Sequence, residues 1–145
     1  MHLIVDGYGG DSQKLRDMDQ TYQLLDGYPS EIGMTKISPP YVFRYVGTKP
    51  EDWGVSGFVL IAESHISIHT FPDRGYVNVD IFSCKLFDAQ KAIAYIQRHF
   101  NLSDAKSCVL KRGLEALDEE VTDSEGGISA LPLERECATS RIEVA

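Results

Sequence analysis

Three consecutive stretches rich in β-branched and aromatic residues, at 57–63, 64–71 and 76–84, constrain the fold of this chain more than any other feature. Such residues favour strands, and segments this short are more typical of strands than of helices. The sequence PDRG at 72–75 separates the last two, and its proline and glycine suit a hairpin turn. The region is therefore predicted to form hairpin-linked antiparallel strands of one sheet.

A helix is predicted on each side of this region. An apolar stripe at helical spacing indicates a helix over 12–26, with Asp11 or Ser12 as N-cap and with Gly27 and Pro29 ending it. A second helix is predicted over 88–100. Further strands are predicted at 2–10, 32–38, 41–47 and 106–113, with a polar loop at 48–54.

The order β-α-β-β-β-β-β-α-β predicts an α+β fold. We expect a two-layer sandwich, with a largely antiparallel β-sheet that carries both helices on one face and can pack another copy on the other. A length of 145 residues suits one domain. The composition changes at Asp118, so we predict a domain at 1–117 and an acidic, flexible tail at 118–145.

Charge and cysteine content narrow the class of protein. A formal net charge of −8 argues against a nucleic-acid partner. Neither a membrane span nor a signal peptide is recognisable. The odd number of cysteines favours a reduced, cytoplasmic setting. Cys84, Cys108 and Cys137 show no CxxC spacing, which predicts neither a disulfide framework nor a metal site. Cys108 and Cys137 are therefore expected to be small buried apolar residues.

The polar residues of ESHISIHT, at 63–70, are unusual in an apolar strand. Strand alternation puts Ser64 on the face opposite to His65 and His69. A half-buried edge strand would have a similar pattern. Hydrolysis by a Ser–His pair is poorly supported, since no G-x-S-x-G elbow surrounds Ser64.

Three motifs together resemble one family: GVSG at 54–57, ESHISIHTFP at 63–72 and DIFSC at 80–84. Their order over about residues 2–113 is similar to that of the prokaryotic S-adenosylmethionine decarboxylases. The resemblance implies a proenzyme that cuts itself between Glu63 and Ser64, into 1–63 and 64–145. The serine then becomes a pyruvoyl group, which is the cofactor of the family.

The resemblance also implies roles for four residues. The Ser64 hydroxyl attacks the Glu63 carbonyl and later leaves with it by β-elimination. His69 matches the base that removes the Ser64 Cα proton, and Ser56 matches the oxyanion donor. Cys84 matches the proton donor for the decarboxylated substrate, which is held as a Schiff base. Because Ser64 and His69 lie on opposite strand faces, the backbone must be distorted near 64, or each must act from a chain end.

The substrate is the least constrained part of the resemblance. Family members use an aromatic residue before GVSG to stack on adenine, and here Trp53, Phe43 or Tyr45 are the candidates. The resemblance implies decarboxylation of S-adenosylmethionine for spermidine synthesis by a homodimer. A decarboxylase of arginine or ornithine is the alternative, since relatives have shifted to such cationic amino acids. A non-catalytic regulatory paralogue is the third possibility.

Overall fold

A computed structural model describes residues 1–111 and 135–141 of the chain. Within these residues, seven strands form one antiparallel sheet in the order β2-β3-β4-β5-β1-β6-β7, which confirms the predicted α+β fold. The strands are β1 His2–Tyr8, β2 Tyr41–Val46, β3 Trp53–Ile61, β4 Ser64–Phe71, β5 Tyr76–Ser83, β6 Asp104–Leu110 and β7 Arg135–Arg141. The helices are α1 Ser12–Arg16, α2 Met18–Glu31 and α3 Ala89–Phe100.

Strand alternation gives the sheet two different faces. On β4, Ile66, Ile68 and Thr70 are buried against the helices, whereas His65 and His69 point the other way. We call the surface that carries His65 and His69 the outer face. The core under the helices includes Leu15, Leu24, Leu25, Ile66, Ile68, Val79, Ile81, Ile93, Ile96 and Phe100. In the described part of the chain, no helix is long and apolar enough to cross a membrane.

The first predicted helix is divided in the structure. Its break falls at Asp17, whose extended backbone ends α1 and whose carboxylate caps α2 by accepting from two backbone N–H groups. The predicted stop at Gly27 and Pro29 was wrong, since α2 continues to Glu31. Pro29 removes a single donor in the last turn, and the burial of Tyr28 and Pro29 in the core holds the helix together there.

The predicted strand at 32–38 is replaced by an extended connector, residues 33–38. Its only bridge is Lys36–Ile61, so the prediction of a sheet strand was wrong. The connector precedes β2 in the chain and lies along the same edge of the sheet. Pro39 and Pro40 lie between the two segments, and because they lack N–H groups they cannot continue the ladder.

The described C-terminal residues contain a seventh strand and a disulfide partner. β7 lies inside the predicted flexible tail 118–145 and pairs with β6, while 112–134 and 142–145 lie outside the described residues. The prediction of free cysteines was wrong for Cys108 and Cys137, which form a disulfide. They face each other in the β6–β7 register, with Cα atoms 4.1 Å apart. In a reducing compartment the same register would hold two adjacent thiols.

Candidate active site

The junction Glu63–Ser64 lies at the two-residue turn of the β3–β4 hairpin. Ile61 of β3 pairs with Ser64 of β4, so Ala62 and Glu63 alone connect the strands. Ser64 has a φ of 150°, in the positive range that side-chain-bearing residues rarely adopt. The backbone is therefore distorted at the serine itself.

Main-chain groups from two other segments hold Glu63. The Cys84 N–H donates to the Glu63 carbonyl oxygen at 2.9 Å. From the connector, the Thr35 N–H donates to the Glu63 carboxylate at 3.0 Å, and the Thr35 carbonyl accepts from Ala62 N–H at 2.8 Å. The turn is thus fixed on both sides, and the carbonyl before Ser64 is polarised by a hydrogen-bond donor.

The Ser64 hydroxyl contacts the histidine that follows it. Its Oγ lies 3.1 Å from His65 Nδ1. The His65 ring packs edge-on against Phe82 of β5, with centroids 5.8 Å apart. This gives one end of β4 a serine–histidine contact in which the serine adjoins the predicted cleavage point.

A second serine–histidine contact lies at the other end of β4. Ser56 Oγ and His69 Nδ1 are 2.8 Å apart, directly across the β3–β4 ladder. Tyr45 packs edge-on against His69 and donates its hydroxyl to the Thr70 carbonyl at 2.9 Å. Burial, with a smaller contribution from Asp52, raises the Tyr45 pKa, so this phenol stays protonated and keeps donating at neutral pH.

The two serine–histidine contacts are well separated within one chain. Ser64 and His69 are five residues apart on a regular strand, which corresponds to roughly 16 Å. The structure therefore brings Ser64 together with Glu63 and Cys84, and Ser56 together with His69. It does not bring the two groups together.

Cys84 follows the last residue of β5 and is exposed. Ser83, which precedes it, pairs with Ser64 across β4 and β5. The Ser83 hydroxyl accepts from Lys85 N–H at 2.9 Å and donates to the Lys85 carbonyl at 2.8 Å. This small loop directs the Cys84 N–H toward the turn.

Trp53 lies away from both contacts, on the helix-bearing face of β3. The Arg44 guanidinium lies 4.2 Å from its ring centroid, and that of Arg16 lies 5.4 Å away. Its indole N–H donates to Asp73 at 2.6 Å. This arrangement favours a packing role for the only tryptophan in the chain. Of the other aromatic candidates, Phe43 faces Ser56 across β2 and β3 on the outer face.

A polar cluster beside His69 was missed by sequence reasoning. Asn78 pairs with His69 and donates to the Asp6 carboxylate at 2.7 Å, and Tyr76 donates to the same oxygen at 2.9 Å. Burial, then the hydrogen bond to Asp6, raises the pKa of Tyr76 to about 12. The sequence does contain a signal for this cluster, because polar side chains occur at alternate positions of otherwise apolar strands. Among the described residues, no group of three side chains could hold a metal ion.

The fold and site define a class: a two-layer α+β sandwich with a distorted serine turn at one end of its sheet. The crystal structure of the adenosylmethionine decarboxylase from Aquifex aeolicus VF5 matches this fold with a TM-score of 0.64 and 31% identity, over 87% of this chain and 94% of that one. A sequence model of the S-adenosylmethionine decarboxylase family matches residues 1–113. This chain belongs to that family.

Individual relatives agree with the family assignment. The S-adenosylmethionine decarboxylase proenzyme of Thermococcus kodakarensis is 35% identical over 123 residues, covering 83% of this chain and 81% of the relative. The proenzyme of the same name from Aquifex aeolicus is 35% identical over 126 residues, covering 86% and 87% of the two chains. Neither is named for arginine or ornithine.

Proposed function

We propose that this protein is a self-processing, pyruvoyl-dependent decarboxylase of S-adenosylmethionine, which supplies the aminopropyl donor for spermidine. The observation that carries the proposal is the Glu63–Ser64 junction. Its carbonyl accepts a hydrogen bond from the Cys84 N–H, and its serine has a φ of 150°. Family membership supplies the substrate, and the relatives described above are named for that substrate.

The residues at the turn fit formation of a pyruvoyl group from Ser64. The Ser64 oxygen attacks the Glu63 carbonyl carbon, and the Cys84 N–H is positioned to stabilise the developing oxyanion. The unfavourable φ of Ser64 favours conversion of the Glu63–Ser64 amide into an ester, which releases that constraint. His69 would then remove the Ser64 Cα proton, and the ester oxygen would leave with Glu63 as a free carboxylate.

A second copy of the chain is needed to complete this reaction. His69 is roughly 16 Å from Ser64 along β4, which is far beyond proton-transfer distance within one protomer. A homodimer that packs outer face on outer face would place the Ser56–His69 pair of one copy beside the Ser64 turn of the other. In such a dimer the separation of Ser64 and His69 along β4 is no obstacle, because each site takes one of these residues from each chain.

The composition of the outer face supports the same dimer. Four large apolar side chains are exposed on β2 and β3, with relative exposures of 66% for Tyr41, 48% for Phe43, 40% for Phe58 and 43% for Leu60. A contiguous apolar patch of this kind marks an interaction surface. A second copy would cover it while completing the site.

Phe43 is our candidate for stacking on the substrate's adenine. It faces Ser56 in the β2–β3 register, so it would enter the shared site together with the Ser56–His69 pair. A pyruvoyl group at position 64 would supply an electrophilic carbonyl that binds the substrate amine and draws electrons as carbon dioxide leaves. The exposed Cys84 thiol would then protonate the substrate carbon. We place this reaction in the cytoplasm.

Intact mass spectrometry and a release assay test this proposal together. The purified chain should convert into fragments 1–63 and 64–145, with a pyruvoyl group at the start of the second. The processed protein should release carbon dioxide from S-adenosylmethionine and not from arginine or ornithine. A chain that stays uncut at neutral pH contradicts self-processing, and activity on arginine alone contradicts the substrate.

A further inference from the structure

We propose that His65 is the general base of the first processing step, in which it takes the proton of the Ser64 hydroxyl. His69 is then reserved for the later removal of the Cα proton. This inference rests on the self-cleavage proposed above. It assigns a catalytic residue that the family motifs do not distinguish from an ordinary strand histidine.

The contact geometry carries the assignment. His65 Nδ1 lies 3.1 Å from Ser64 Oγ, inside the distance over which a base accepts a proton directly. By contrast, His69 Nδ1 is bonded to Ser56 Oγ at 2.8 Å and lies roughly 16 Å along the strand from Ser64. The uncut chain therefore presents the nucleophile to His65 before any second copy is present.

The backbone distortion at Ser64 explains how adjacent residues can meet. In a regular strand, neighbouring side chains point to opposite faces, so the Ser64 and His65 side chains would diverge. The φ of 150° at Ser64 departs from strand geometry and brings the hydroxyl to the ring of the next residue. Phe82 packs edge-on against that ring and holds it in place.

The proposed step isomerises the amide between Glu63 and Ser64 into an ester. His65 Nδ1 accepts the hydroxyl proton while Ser64 Oγ bonds to the Glu63 carbonyl carbon, and the carbonyl electron pair moves to its oxygen. The Cys84 N–H stabilises that oxyanion. The oxyanion then re-forms the carbonyl as the carbon–nitrogen bond breaks, and the imidazolium returns its proton to the Ser64 nitrogen. An ester and a free amine result, with no net change in protonation.

Hydroxylamine distinguishes the two histidine roles, because it splits the ester and leaves the amide intact. We expect His65→Leu, which keeps an apolar contact with Phe82, to remain as uncut, hydroxylamine-resistant chain. Its cleavage should be about 10²-fold or more slower than that of wild type. His69→Ala should instead accumulate hydroxylamine-sensitive chain. His2→Leu is a matched control, since His2 also packs on Phe82 but lies on β1, on the side of β5 opposite to β4.

Added imidazole separates a chemical from a structural role. Cleavage of His65→Ala should speed up with the concentration of free-base imidazole, whereas His2→Leu should not respond. Normal cleavage of His65→Leu, accumulation of its ester, or lack of rescue in a folded His65→Ala protein would overturn this inference alone. A wild-type chain that stays uncut would overturn the self-cleavage as well.

Discussion

The two ends of β4 each have a serine–histidine contact, but the contacts differ in origin. At the Ser64 end the partners are neighbours in sequence, joined at 3.1 Å by a distorted backbone. At the His69 end the partner is Ser56 of the adjacent strand, joined at 2.8 Å by ordinary ladder register. One end is a strained turn, and the other is regular sheet.

This difference suggests that the two ends of β4 have different roles in self-processing. A strained backbone at Ser64 beside a polarised carbonyl suits a bond that must break, so the Ser64 end has the features of a cleavage site. A histidine fixed by sheet register suits a base that must be positioned accurately. We infer that the two ends act on each other across a dimer, and the following experiments test the comparison in order of decreasing expected effect.

Removing the Ser64 hydroxyl should abolish the chemistry of the turn completely. Ser64→Ala lacks both the nucleophile and the leaving group, so no cleavage is expected even after long incubation. Intact mass should show one chain of unchanged length. The matched control is Ser67→Ala, in the middle of the same strand, which should be cut normally. Appearance of fragments from Ser64→Ala would refute the assigned nucleophile.

Mixed dimers should show whether the two ends cooperate between chains. We expect a His69→Ala chain to remain unprocessed alone and to be cleaved when co-expressed with a Ser64→Ala chain, which still carries His69. The Ser64→Ala chain should stay whole. Mass spectrometry of differently tagged chains measures both outcomes.

The control partner is a chain that carries both substitutions, which cannot supply His69 and should give no rescue. If His69→Ala stays uncut beside Ser64→Ala, the base acts within its own chain. That result would reject the dimeric site while leaving self-cleavage itself in place.

Cys84 should separate processing from turnover. Cys84→Ala keeps the backbone N–H that contacts the Glu63 carbonyl, so cleavage should continue. Loss of the thiol should lower decarboxylation by about 10²-fold or more, the usual scale for a general acid. Mass spectrometry after turnover should show alanine accumulating at position 64 faster than in wild type. Near-normal turnover would mean that another group donates the proton.

The smallest effect is expected from Thr70, whose side chain links β4 to β3 next to His69. The buried Thr70 hydroxyl accepts from Val55 N–H at 2.8 Å and donates to the Val55 carbonyl at 3.2 Å, beyond the Ser56–His69 pair. Thr70→Val leaves that buried N–H unpaired and should lower the free energy of unfolding by about 1–3 kcal/mol. Chemical denaturation measures this, with the exposed Thr48→Val as control. An unchanged stability would show that this link is dispensable.

Local pattern alone was enough to predict much of the sheet. Alternating apolar residues at Ile66 and Ile68, and the turn residues of PDRG, predicted β4, β5 and their hairpin, and the structure confirms them. The three motifs GVSG, ESHISIHTFP and DIFSC together were sufficient to indicate the family. These features are local, because strand periodicity and turn chemistry depend on neighbours within a few residues.

Only the tertiary structure could decide which groups meet. The N–H groups of Cys84 and Thr35 that donate to Glu63 belong to the main chain, so the residue types in the sequence do not predict these contacts. The pairing of Cys108 with Cys137 depends on the register of β6 with β7, and the packing of Trp53 depends on arginines from other elements. Each is a contact between distant segments, which is formed when the chain packs and leaves no periodic trace in the sequence.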